Sequence, residues 1–256
     1  MLKPDYAAMG TLPVPSITPH WPIEVSDEIT VELVEHSATD LGVVKAARVS
    51  TVGLDANRED RAGSEMAGLV GYLMRSRHGS PFEHNFMTFL ISAPIFTVRH
   101  LMRHRTWSFN EESARYRELE PRFYVPGPDR HLKQVGKPGH YQYVPGSPDE
   151  HERLTEVARQ SYAAAYASYA ELLEAGVARE LARMVLPSAT FSTVFATCNA
   201  RSLMHFLSLR THRDYAAYPS SPQREIEIVA EQMEAEFSRL MPLTHTAFEK
   251  FGRVSP

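Results

Sequence analysis

The twenty residues FMTFLISAPIFTVRHLMRHR, 86–105, constrain the fold more than any other stretch of this chain. Phe86 to Ser92 is apolar and aromatic, and it predicts a buried strand. Pro94 has no amide hydrogen to give a sheet and a φ suited to a helical first turn, so the strand must pass directly into a helix there. In a helix over 94–105, Arg99 and Arg103 are four apart, as are His100 and His104, and residues at that spacing share a face. The prediction is a cationic stripe on an otherwise apolar helix. A solvated helix face is the plain alternative.

The rest of the chain alternates between the two periodicities. ITVELVEH from Ile29 alternates as a strand does, and TDLGVVKAARVS has helical spacing behind a Thr39 start. EMAGLVGYLMRSRHG reads as a helix ending at Gly79, followed by an SPFEH turn. Residues 121–148 are rich in Pro and Gly and read as a strand piece and a long loop, with the loop 126–148 expected to cover a substrate as a mobile segment. An alanine-rich helix is expected from Asp149 to Glu174 with Gly176 after it, then a short helix VARELARMVL. ATFSTVFATC reads as a strand, NARSLMHFLSLRTH as a helix capped by Asn199, and PQREIEIVAEQMEAEFSRLM as the last helix. Residues 1–27, broken by five prolines, read as an irregular arm. With no repeat and no linker between cores, residues 28–256 read as one mixed α/β (α+β) domain.

Composition narrows the partners. Of 256 residues 43% are apolar and 23% charged, the balance of a soluble globular protein. The net charge of −4 provides no general field for nucleic acid or an anionic membrane, so neither is expected as a partner, and an anion must be held by a local cluster. Of 27 basic residues 22 are arginine, whose planar fork matches phosphate and carboxylate. The one cysteine, Cys198, excludes an internal disulfide and suits a reducing compartment. With no secretory signal and no apolar run of membrane length, the chain is expected in the cytoplasm.

The local cluster is RHRTWSFNEESARY, 103–116. It gathers Arg103, His104, Arg105 and Arg115 around Ser108, Asn110, Glu111 and Ser113. Arginine with serine hydroxyls and turn amides suits a phosphate, and Glu111 can accept from a sugar hydroxyl, so a nucleotide is the natural ligand.

At every fixed position these residues match the signature of flavin-dependent thymidylate synthases, which the chain resembles from its first strand to LRTHRDYAAYP. The resemblance implies a central, mainly antiparallel sheet flanked by helices and a homotetramer with active sites at subunit interfaces. It implies methylation of deoxyuridine monophosphate (dUMP) at C5, with carbon from 5,10-methylenetetrahydrofolate and hydride from FAD reduced by NADPH. It places His78, Ser80, Glu83, Arg103, His104, Arg105, Asn199, Arg201 and His205 at FAD. His100, Arg103, Glu111, Ser113, Ala114, Arg115, Arg183 and Arg210 fall at the nucleotide, with Arg183 and Arg210 as the catalytic pair. As plain surface residues, Arg183 and Arg210 would instead pair with Glu180 or Asp214.

The chemistry of the residues agrees. Attack by uracil C5 develops negative charge on the ring oxygens, and a fixed arginine stabilises it. Cys198 lies among small and apolar residues and reads as a core thiol, and Ser108 has no evident base, so no enzyme nucleophile is expected. Two other readings compete. His100 and His104 have the spacing of a helical metal-ligand pair, but Arg99 and Arg103 beside them repel a dication, and no metal is expected. Arg103, Arg105, Trp107, Phe109 and Tyr116 interleave cation and aromatic as single-strand binding platforms do, but the compact cluster suits one nucleotide better than a strand.

Overall fold

The computed structural model describes residues 22–57, 63–138 and 140–256. Of the arm expected over 1–27, residues 1–21 lie outside these. Within the remainder β1 (Glu24–Ser26) is a short strand, where an irregular segment is expected from sequence.

The centre is a four-stranded sheet. β2 (Thr30–His36) is followed by α1 (Asp40–Val52), α2 (Gly63–Arg75), β3 (Met87–Pro94), α3 (Ile95–Leu101) and β4 (Ser108–Glu111). After β5 (Arg122–Tyr124), β6 (Lys133–Lys137) and β7 (His140–Val144) come α4 (Pro148–Glu174) and α5 (Arg179–Ala182). β8 (Phe191–Cys198), α6 (Ala200–Arg210), α7 (Arg224–Leu240) and α8 (Pro242–Lys250) complete the described elements. The sheet order is β2-β3-β8-β4, with every pair antiparallel. This mixed domain with an antiparallel sheet and flanking helices is the expected fold.

Alternation decides which face of the sheet is covered. Met87, Phe89 and Ile91 on β3 pair with Cys198, Ala196 and Val194 on β8, and all six are buried. Large residues thus face small ones in a core completed by Leu203, Phe206 and Leu207 of α6 and Val229, Met233 and Phe237 of α7. The opposite face carries Leu90 opposite Phe195, with Thr88 bonded to Thr197 (2.9 Å between hydroxyls) and Asn110 beyond Phe195. Leu90 and Phe195 are 36% and 42% exposed there. At the edge, the side-chain amide of Gln232 accepts from Val31 N (3.1 Å) and donates to Ile29 O (2.8 Å), so α7 occupies backbone groups that an open edge would offer to another strand.

Caps follow the sequence closely. Thr39 accepts from Gly42 N and Asn199 from Ser202 N. Ser147 and Glu150 form a reciprocal capping box at the start of α4. The buried carboxylate of Asp40 accepts from Leu243 N, Thr244 N and the Thr244 hydroxyl at 2.6–2.9 Å, so the first turn of α8 is capped from α1.

Four expectations are corrected. α2 stops at Arg75, not Gly79, because Arg77 takes the left-handed turn (φ 60) and His78 N returns to Leu73 O. Gly79 is needed for space, since a Cβ there would lie 2.5 Å from the Arg201 guanidinium. α3 ends at Leu101, so Arg103 and His104 lie in a turn beyond it and no continuous stripe, nor a helical His100–His104 pair, is formed. The long loop contains the β6–β7 hairpin, strapped by Lys133–Glu150 and Arg130–Glu225. α8 follows α7 after a break at Met241, where sequence gave no separate helix.

Candidate active site

The turn between α3 and β4 turns one residue of the Arg103-His104-Arg105 run inward. His104 N donates to Leu101 O (3.0 Å) and Trp107 N to His104 O (3.2 Å). These bonds leave Arg103 and Arg105 exposed and His104 only 6% exposed. Its ring lies edge-on to Phe206 at 4.9 Å and near Trp107 and His205. Burial first, then the positive charge of Arg210, the charge of a protonated His205 and that of Arg103, lower its pKa to about 4, so His104 is neutral near pH 7.

That neutral ring receives Arg210. At the end of α6, Arg210 Nε donates to His104 Nε2 (3.3 Å), which makes Nε2 the unprotonated nitrogen. Burial, and then Arg103, lower the proton affinity of Arg210. Among the described residues no carboxylate forms an ion pair with Arg99, Arg103, Arg105, Arg183 or Arg210. The plain surface pairings are absent among the described residues: Glu180 instead pairs with Arg115 Nε (2.9 Å), and Asp214 meets His212 Nε2 (3.0 Å). Among the described residues neither Nη nitrogen of Arg210 has a hydrogen-bond partner.

The remaining expected residues fall into two further groups. Around β4 and α5, Glu111 Oε1 accepts from the Ser192 hydroxyl (2.7 Å), and Ser113 closes a tight turn by accepting from Arg115, Tyr116 and Arg117 amides over buried Ala114. The Arg115–Glu180 pair draws this turn to α5, and Arg183 lies three residues beyond Glu180, exposed. At the other end of α6, Arg201 donates to Glu83 (2.5 Å) and to Pro256 O (2.6 Å), with Asn199 as the helix cap and His78 and Ser80 exposed nearby in sequence. Asn199 and Arg210 are separated by the length of α6, roughly 15 Å at the rise of a helix. One copy of the chain therefore presents the expected cofactor residues as two patches, with Arg103, His104, Arg105 and His205 in one, beside the expected nucleotide residues His100 and Arg210, and His78, Ser80, Glu83, Asn199 and Arg201 in the other.

Sequence reasoning passed over a buried carboxylate. Glu225, 3% exposed in the first turn of α7, accepts at Oε1 from the Tyr124 hydroxyl (2.9 Å) and Arg130 Nε (2.8 Å). Burial alone would raise its pKa, but the Arg130 bond and charge bring it below the usual value. The signal was present: Glu225, Val229, Met233 and Phe237 are each four apart, so a glutamate occupies the core phase of the helix. Beside it lies an open groove of about 900 Å³ lined by Phe96, Tyr124, Leu132, Leu154, Tyr162 and Glu225 among others.

Elsewhere Glu234, His245 and Glu249 approach closely enough to share an ion, but buried Arg253 reaches both carboxylates. Cys198 is fully enclosed, and burial pushes its thiol pKa up, away from nucleophilic use. No helix among the described residues is long and apolar enough to cross a membrane.

Arg103, Arg105 and Arg210, without carboxylate partners among the described residues, thus stand around a neutral His104 ring. Residues 32–243 match the family model described as thymidylate synthase complementing protein. The flavin-dependent thymidylate synthase of Streptomyces coelicolor is 58% identical over 238 residues, covering 91% of this chain and 96% of that protein. That of Thermotoga neapolitana is 41% identical over 231 residues, covering 90% and 95%. The crystal structure of a UMP/dUMP methylase, PolB, from Streptomyces cacaoi bound with 5-Br dUMP superposes with a TM-score of 0.88 at 66% identity, covering 91% of this chain and all of that one. The same methylase bound with 5-Br UMP gives 0.85 at 63% identity, covering 91% and 99%. The chain belongs to the flavin-dependent thymidylate synthase family.

Proposed function

We propose that this protein converts dUMP to thymidylate by reductive methylation at C5, with carbon from 5,10-methylenetetrahydrofolate, FAD as cofactor and NADPH as reductant. The observation that carries the reading is Arg210, which is half-buried on a neutral His104 and unpaired with any described carboxylate. An arginine held this way has its donors aimed before the ligand arrives, and fixed charge of that kind stabilises an anion as it develops. His104 receives the Nε proton donor and so sets the direction of the two Nη groups. We place them on the pyrimidine, where they favour loss of the N3 proton and the electron-rich C5 that attacks the carbon donor. Glu111, Ser113, the Ala114 turn, Arg115, Arg183, His100 and Arg103 hold the rest of the nucleotide, serine and arginine at phosphate and Glu111 at the sugar.

The donor set also fits a flavin dinucleotide. Arg103 and Arg105 are exposed cations without described carboxylate partners, suited to a pyrophosphate or to the negative charge of a reduced flavin ring. His78, Ser80, Glu83, Asn199, Arg201 and His205 supply further polar contacts. When bound, FAD supplies the hydride. Because those contacts form two patches in one chain, and because the Leu90–Phe195 face of the sheet is uncovered, the reading includes a homotetramer with sites shared between subunits, in the cytoplasm. Enclosed Cys198 gives the enzyme no thiol for attack at C6, and the reaction proceeds without a cysteine adduct.

The test is an anaerobic visible spectrum of the protein with FAD, then NADPH, with and without dUMP, followed by product analysis with methylenetetrahydrofolate. Bleaching of the flavin bands and formation of thymidylate are expected, with turnover lowered on the order of 10²-fold or more in Arg210→Gln. Absence of flavin binding overturns the reading. A second substrate belongs in the same assay: the similar methylase has been crystallised with both 5-Br UMP and 5-Br dUMP, and methylation of UMP by this protein would widen the activity to ribonucleotides.

A further inference from the structure

Among the described residues, His100 Nδ1 and Glu225 Oε2 are buried polar atoms near the proposed nucleotide site that have no hydrogen-bond partner. They belong to elements that pack together, α3 and α7. Phe96, one turn before His100 on the same face of α3, stands edge-on to Tyr124 at 5.5 Å, and the Tyr124 hydroxyl is bonded to the other oxygen of Glu225. The carboxylate is held through Oε1 by Tyr124 and Arg130, with its own amide and the Gln223 side chain close by, while Oε2 is closed to solvent and has no donor at hydrogen-bond distance among the described residues. A buried carboxylate oxygen left without a donor is costly, and so is a buried imidazole nitrogen. Neither reaches the other directly, and a single water held between them satisfies both.

We propose that Glu225 is a positioning residue that fixes the neutral His100 ring with its proton on Nδ1, facing the carboxylate, so that Nε2 presents a lone pair to the nucleotide. The charges around the ring agree from every side. Arg210 of α6 and Arg103, beyond α3, are the cations that act on it, and both favour a lone pair turned toward them. Glu225 of α7 is the one anion that acts on it, with Tyr124 and Arg130 behind it. Burial, and then Arg210, keep the ring neutral near pH 7 by lowering its pKa, with the opposing pull of Glu225 insufficient to reverse this. A neutral ring has a choice of tautomer, and the neighbour of one nitrogen settles it. The inference rests on the reading of His100 as a nucleotide contact.

The experiment uses the FAD-loaded enzyme with ¹⁵N-labelled histidine and the variant Glu225→Gln. In the wild type the His100 resonances should show the Nδ1–H tautomer. In Glu225→Gln the amide oxygen must accept from Tyr124 and Arg130, which turns the NH₂ group toward His100. The proton should then move to Nε2, and the KM for dUMP should rise roughly tenfold, the scale of one misdirected hydrogen bond. The rate of flavin reduction by NADPH without nucleotide should stay unchanged. Glu225→Asp, which keeps the charge but withdraws it by one methylene, provides the same tautomer readout should the glutamine variant be unstable. An unchanged tautomer in both variants overturns the proposal. So does an unchanged KM in Glu225→Gln when His100→Ala weakens dUMP binding. If His100→Ala leaves dUMP binding intact while the tautomer still reverses, the positioning role stands and the placement of His100 at the nucleotide falls.

Discussion

His104 shows how one residue can be legible in kind and hidden in placement. Arg103-His104-Arg105 reads as a charged surface, and the sequence supports a site there, but only the turn after Leu101 sends the middle side chain into the core against Phe206. The consequence is a penalty in acid. In the unfolded chain the imidazole binds its proton near 6.5, in the folded protein only near 4, so stability is complete above 6.5 and is lost as the pH falls toward 4. Between pH 7 and pH 4.5 this one group should cost about 2 kcal/mol. Urea unfolding at both pH values should show that His104→Gln loses about that much less than the wild type. An equal loss in the two proteins would mean that the buried ring is not what acid attacks. Glu225 is the converse case, a buried carboxylate hidden by its type, since a glutamate in a polar-looking helix start draws no attention unless its phase is compared with Val229 and Met233.

Among the elements, those governed by local chemistry are legible. Thr39, Asn199 and Ser147 announce helix starts by side-chain oxygens that reach amides three residues on, and Pro94 marks the handover from β3 to α3. Those governed by distant partners are not. β1 exists because β5 lies beside it, and β6 and β7 are exposed strands with too little apolar alternation to separate them from a loop. The hairpin is tied to the body by Arg130, whose pair with Glu225 is 20% exposed on one side and 4% on the other. Arg130→Ala should cost about 2 to 3 kcal/mol in chemical denaturation, somewhat below a fully enclosed pair because Tyr124 still donates to the carboxylate. A change under 0.5 kcal/mol would show the pair to be ornamental at the level of stability.

At the scale of the molecule, the sheet face bearing Leu90 and Phe195 is the largest difference between what one copy shows and what the proposed assembly needs. Period-2 alternation makes both strands apolar on each face at their centres, which the sequence does display, but no sequence pattern says whether a helix or another subunit covers the second face. If subunits meet there, a charge at the centre of the face blocks the contact without touching the core. Phe195→Glu should reduce the mass measured by light scattering from a tetramer to a smaller species and abolish turnover, while the circular dichroism spectrum is retained. A variant that stays tetrameric would move the interface elsewhere.

The cap that Asp40 places on α8 ties the molecule to the timetable of its own synthesis. The carboxylate and the amides it receives are 203 and 204 positions apart, so α1 leaves the ribosome with its acceptor unmet. At about 5–20 residues per second, the wait lasts roughly ten to forty seconds. Throughout that interval the apolar side of α1 has no finished body to rest on, and the bond that closes the domain is among the last that translation makes available.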